Sequence, residues 1–189
     1  MALLVALAMA PSRGGAQNLM TNGSFHSDVA SWTAGLGTLL WTNIADEGDC
    51  PASGAALISS EPASGQHYAS LSQCVGVDGQ ANLFAQVRHM GYGTFFLRLD
   101  YYTAVNCATG VLTSAETSVV QTPTIWQTSV LSAVPPPNAN ALLVTFSAVD
   151  ADPHGLVIDE AILSERWPLM LDGFEGNNSG DSDPCHWSP

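Results

Sequence analysis

From about residue 36 to residue 163, apolar and polar positions alternate in short runs, and clusters of Gly, Pro, Asn, Asp and Ser separate the runs. A period of two predicts strands, because successive strand side chains point to opposite faces. The pattern places strands near 36–44, 54–60, 69–77, 81–89, 93–103, 110–121, 125–134, 140–149 and 155–163, with the prolines at 135–137 marking a loop. No segment longer than about ten residues keeps the 3.6-residue apolar stripe of a helix, so the expected class is an all-β sandwich of two antiparallel sheets.

Two neighbouring runs are the most legible. Leu83, Ala85 and Val87 share one face of the first, and Phe84, Gln86 and Arg88 share the other. In the second, Phe95, Leu97, Leu99 and Tyr101 alternate with Phe96, Arg98, Asp100 and Tyr102. A merely solvated face is more often Ser, Thr and Lys. Rings mixed with amide and charged groups suit sugars, whose C–H faces stack on aromatics while their hydroxyls pair with polar side chains. Phe84, Gln86, Arg88, Arg98, Asp100 and Tyr102 are therefore the candidate ligand-binding residues, expected to line one groove. Trp41, Tyr68 and Phe96 are further stacking candidates, whereas Trp32 and Trp126 read as core anchors.

Composition narrows the partners. Four arginines, no lysine and 17 carboxylates give a formal charge of −13, which repels nucleic-acid backbones and anionic lipid. The apolar start of the chain, too short to span a bilayer and followed by Gly14, Gly15 and Ala16, predicts an export signal over 1–16. A domain over 17–165 and an acidic, Gly-rich tail over 166–189 follow, and the chain is expected to be secreted and monomeric. Within the domain, Phe25 is expected to plug the sandwich. Cys50, Cys74, Cys107 and Cys185 are an even set in an exported chain, which predicts two disulfides with three connectivities open.

Catalytic signatures are lacking. There is no Gly-x-Ser-x-Gly elbow, the five histidines are scattered, and the spacing of Asp100, Glu116, Asp159 and Glu160 does not favour a hydrolytic pair. No enzyme activity is expected. A tail run beginning at Glu175 imitates an EF-hand loop, but with Glu at its first position and His186 at its twelfth.

The opening Asn18-Leu19-x-x-Asn22-Gly23-Ser24-Phe25 with Trp32, then Ser53-Gly54-x-Ala56-Leu57, the Trp126 strand, and Val157-Ile158-Asp159-Glu160-Ala161 resemble carbohydrate-binding modules of families four, nine and twenty-two. The resemblance implies a galactose-binding-like β-jelly-roll without catalytic activity, binding a polysaccharide or oligosaccharide. It also implies a structural calcium ion held by Asp159 and by backbone oxygens near Asn22 and Ser24 and in the 48–53 loop. Where such modules carry an acidic residue after the opening Phe, this chain has His26. Cys74 and Cys107 resemble a cysteine pair of secreted members, which would leave Cys50 to pair with Cys185. The alternative function is a structural or adhesive extracellular domain in which the sandwich is only a scaffold.

Overall fold

The computed structural model describes residues 18–43, 54–63, 66–77, 81–151 and 155–165. The signal segment, the 48–53 loop, Cys50, Cys185 and the tail lie outside the described residues.

Among the described residues there is no helix. The strands are β1 (Thr33–Leu36), β2 (Thr38–Thr42), β3 (Ala55–Ser59), β4 (Glu61–Ala63), β5 (Gln66–Gly76), β6 (Leu83–Gly91), β7 (Thr94–Tyr102), β8 (Val111–Val120), β9 (Gln127–Ala133), β10 (Ala141–Val149) and β11 (Leu156–Ser164). One sheet runs β1-β5-β10-β7-β8, with β4 also paired to β5; the other runs β2-β3-β11-β6-β9. Every pairing is antiparallel. The result is the expected β-sandwich jelly-roll.

Nine of these strands coincide with the alternating runs, and two were not anticipated. The run expected over 36–44 holds β2; β1 precedes it, sharing only Leu36, and belongs to the other sheet, the two meeting at Gly37. Gly37 has φ +88, and a Cβ there would lie 1.8 Å from the Ser59 carbonyl oxygen, so only glycine turns this corner. β4 is three residues long and contains Pro62, too short and too proline-bearing to read as a strand.

The interior follows from the alternation. Leu83, Ala85 and Val87 of β6 face Phe95, Leu97, Leu99 and Tyr101 of β7 across the sandwich, with Leu142, Val144 and Phe146 of β10 beside them, all buried. A file of rings crosses this core. Phe25 packs on Trp32 (centroids 5.4 Å), Trp32 on Phe146 (5.5 Å), Phe146 on Phe95 (6.4 Å), and Phe95 stacks on His89 (3.7 Å).

The opening segment is sewn to both sheets. The Leu19 amide donates to the Leu163 carbonyl (2.7 Å), and the Ala161 amide donates to the Gly23 carbonyl (2.8 Å). Asn18 accepts from the Leu163 amide (3.0 Å) and donates to the Ala161 carbonyl (2.9 Å). On the other side, the buried Gln73 amide acts like a peptide group, accepting from the Thr21 amide and donating to its carbonyl, both at 2.8 Å. Phe25, fully buried, plugs the sandwich as expected. A Cβ on Gly23 would lie 2.0 Å from the Ala161 carbonyl oxygen. Gly23→Ala is therefore expected to lower stability by roughly 2–3 kcal/mol in urea unfolding, while Ser24→Ala, at an exposed position, leaves it unchanged.

His89 is the one histidine buried among the described residues. Gln121 Nε2 lies 3.1 Å from Nδ1, and Nε2 lies 2.9 Å from Ser129 Oγ. With the Gln121 amide donating, Nδ1 accepts and the ring hydrogen sits on Nε2. Protonation would set a second hydrogen against that amide donor. Burial chiefly, with the Arg88 charge second, pushes the imidazole down to about 4 from 6.5. The unfolded chain thus takes up this proton first. Its contribution is intact above pH 6.5 and falls away as pH drops from 6.5 toward 4, by about 3 kcal/mol in all. Urea midpoints across this range should slope accordingly and flatten in His89→Gln; a slope as steep as the parent's in that variant would show the proton goes elsewhere.

Candidate functional site

With Phe95, Leu97 and Leu99 committed to the core, Phe96, Arg98, Asp100 and Tyr102 must stand on the outer face of the β7 sheet. Register extends them into rows across the strands. One row runs Thr33, Ser72, Thr145, Arg98, Glu116, and the next runs Leu36, Ser70, Ser147, Phe96, Ser118. The middle of both rows is Ser70, Ser72, Thr145 and Ser147, short hydroxyl side chains that make a low polar floor. The lane spans four strand spacings, roughly 19 Å.

Taller groups bound the floor. On one side stands the row Tyr68, Val149, Thr94, Val120. On the other stands Cys74, Leu143, Asp100, Ser114, over which the 103–110 loop is tethered by the Cys74–Cys107 disulfide (Cα–Cα 5.9 Å). This is the cysteine pairing that the resemblance implied.

At the β7–β8 end the polar groups are locked together. Arg98 Nε donates to both Asp100 oxygens (2.8 and 3.0 Å), Arg98 Nη2 donates to Ser114 Oγ (3.3 Å), and the Ser114 hydroxyl donates to Asp100 Oδ1. Glu116 Oε2 lies 3.8 Å from Arg98 Nη1. The hydrogen bond to Asp100 first, and its charge second, raise the Arg98 guanidinium above its ordinary range. One cation between two carboxylates leaves the cluster at −1. Asp100 is nearly buried within it.

Phe84, Gln86 and Arg88 do not join this lane. They occupy the outer face of β6, in the opposite sheet, so the sandwich separates the two halves of the expected groove. The connection from β6 to β7 is not a hairpin but an arch. At its bend Gly93 has φ +79, and a Cβ there would lie 2.0 Å from the Val149 carbonyl oxygen. Cross-strand from the β6 residues are Ser164, Ile162 and Asp159 of β11, of which Ser164 and Asp159 are buried although they lie on an outer face. Among the other aromatic candidates, Tyr68, Phe96 and Tyr102 belong to the lane's sheet, whereas Trp41 lies at the edge of the other one and donates to the Phe25 carbonyl (2.7 Å).

The residues expected around calcium come near one another through the Gly23–Ala161 bond. Their oxygens are engaged: the Asn22 carbonyl accepts from Trp32 Nε1 (3.0 Å), the Gly23 carbonyl from Ala161, and Asp159 Oδ1 from the Glu160 amide (2.7 Å). Asn22 Nδ2 donates to the Asp28 carboxylate (2.8 Å), and Ser24 is exposed. No group of three or more His, Cys, Asp or Glu able to hold a metal occurs among the described residues.

The sequence pattern missed the hydroxyl floor and Ser114. Its signal was present, as Ser70 and Ser72 alternate with Leu71 and Gln73 while Thr145 and Ser147 alternate with Val144 and Phe146.

No family model and no curated protein matches the chain. Solved structures share its fold. The chain is similar to the enzymatically active domain of tailspike protein 4 of bacteriophage CBA120 (TM-score 0.63, 18% identity) over 78% of this chain and 21% of that one. It is similar to a family 16 carbohydrate-binding module (TM-score 0.57, 13% identity) over 77% of this chain and 99% of the module. A xylan-binding domain of family 22 gives a TM-score of 0.54 at 20% identity, over 78% and 94%. The chain thus spans about a fifth of the tailspike domain and nearly the whole of each module. The fold is the jelly-roll of carbohydrate-binding modules.

Proposed function

We propose that the chain is an exported, non-catalytic module that holds a polysaccharide or oligosaccharide in the lane on the outer face of the β1-β5-β10-β7-β8 sheet. The observation that carries this reading is the hydroxyl floor of Ser70, Ser72, Thr145 and Ser147 with rings at its margins and an ordered Arg98–Asp100–Ser114 cluster at its end. The fold shared with a xylan-binding domain supports it. Arg98 and Asp100 are the binding residues retained from the sequence pattern, joined by Phe96 and Tyr68; Tyr102, in register with Ala141 and Val111, stands one row beyond Asp100 and outside the lane.

Catalysis is disfavoured because Asp100 is committed to Arg98 and Ser114, with Arg98 between it and Glu116. The same commitment bears on ligand charge. Arg98 is the one cation of a cluster that also holds two carboxylates, and the net negative charge disfavours a uronate. The ligand is therefore a neutral glycan. In affinity electrophoresis, retardation is expected on at least one of soluble β-glucan, xylan or mannan and not on polygalacturonate, with Phe96→Ala weakening it about tenfold or more. No retardation on any glycan, with Phe96→Ala migrating like the parent, would leave only the scaffold function.

A structural calcium ion at Asp159 is a separate proposal. It would take Asp159, backbone oxygens near Asn22 and Ser24, and further oxygens such as those of the 48–53 loop, because Asp159 is the one carboxylate among the expected ligands. Calcium should raise the thermal midpoint of the parent and not of Asp159→Asn; equal midpoints in calcium and in chelator would remove the ion.

A further inference from the structure

We propose that the 103–110 loop, tethered by the Cys74–Cys107 disulfide, is a side wall of the glycan lane, and that Val105 and Asn106 touch the bound glycan. The proposal rests on the lane being the glycan site.

β7 and β5 are not neighbours, since β10 lies between them. A loop that leaves β7 at Tyr102 and bonds to Cys74 must therefore cross β10 at or near its Asn140 end. The loop starts beside Asn140, just ahead of β10, and its Cys107 end meets β5 at Cys74, which is in register with Leu143 and Asp100 and lies next to the row of Ser72, Thr145 and Arg98. The Val105 carbonyl oxygen is 3.8 Å from Cys74 Sγ, which places residue 105 as well as residue 107 above β5.

The loop is held in this position by more than the disulfide. Thr103 donates its amide to the Gly110 carbonyl (3.0 Å), and Cys107 donates to the Ala104 carbonyl (3.2 Å). Asn106 Oδ1 accepts from the Ala108 amide (3.2 Å). From the start of β10, Asn140 Nδ2 donates to the Thr103 carbonyl (2.8 Å) and the Asn140 amide to the Tyr102 carbonyl (2.9 Å). A loop ordered in advance pays little entropy when a ligand arrives.

What it presents is unlike a core element. Val105 is 75% exposed, the most exposed of the large hydrophobic side chains described, on a loop with no core to fill. An apolar side chain next to an exposed amide is the pairing that meets a sugar's C–H face and its hydroxyls together. Without the tether, the excursion between β7 and β8 has no covalent hold on β5, and the wall would swing off the floor.

The test is calorimetric titration with whichever soluble neutral glycan the parent protein binds, using Cys74→Ser/Cys107→Ser and Val105→Ala/Asn106→Ala. Both variants should bind about tenfold more weakly or worse, the equivalent of roughly one hydrogen bond with an apolar contact. The comparison is made at a temperature where circular dichroism shows the sheet intact. The alanine variant keeps the disulfide and should keep the parent's thermal midpoint, so it decides the matter if the serine variant fails to fold. Parent-like affinity in either folded variant overturns the wall. Failure of the underlying reading looks different: the parent binds no glycan, or its binding survives both Arg98→Ala and Phe96→Ala.

Discussion

The rest of the structure depends on the file of rings from Phe25 through Trp32, Phe146 and Phe95 to His89. Its members come from the opening segment, from β10 and β7 of one sheet, and from β6 of the other. Each aromatic contact adds about 0.5–1.5 kcal/mol beyond burial, but the larger effect is geometric. Rings stacked across the sandwich fix which side of each strand faces inward. Once Phe95 points in, Phe96, Arg98 and Asp100 have nowhere to go but out. Phe146 does the same for Thr145 and Ser147. The outer lane is the complement of the core, and one cannot slip in register without spoiling the other.

The same file accounts for what the sequence disclosed and what it concealed. Period two shows which residues share a face, and nine strands and the class of fold follow from it. It does not show which sheet a strand joins. Phe84, Gln86 and Arg88 alternate as regularly as Phe96, Arg98 and Asp100, and a hairpin or an arch between the two strands would produce the same pattern. The difference lies at Gly93, where the close approach of the Val149 carbonyl comes from a strand more than fifty residues away in sequence. A local pattern carries no trace of such a contact. Gly37 hid the boundary between β1 and β2 in the same way.

The functional face was half legible for a related reason. Charged residues advertise themselves, so Arg98 and Asp100 were visible. Ser70, Ser72, Thr145 and Ser147 resemble ordinary solvated strand positions until register sets them side by side. Their value is their shortness, which appears only beside taller neighbours. The disulfide was inferred from family likeness, yet its effect on the face follows from strand order, because only the placement of β10 between β5 and β7 turns a cross-link into a bridge over the sheet.

Charge is distributed to match. The chain carries a formal −13, yet Glu116 is the only ionisable carboxylate, lysine or arginine between residues 101 and 149, and β5 has none. The strands of the floor are therefore uncharged, and the one cation at its end is held by Asp100. An acidic body discourages anionic polymers at long range, while a floor of hydroxyls offers them no counter-ion at contact. Selection on such a face must come from shape, stacking and hydrogen-bond geometry, which are the terms by which neutral sugars differ from one another.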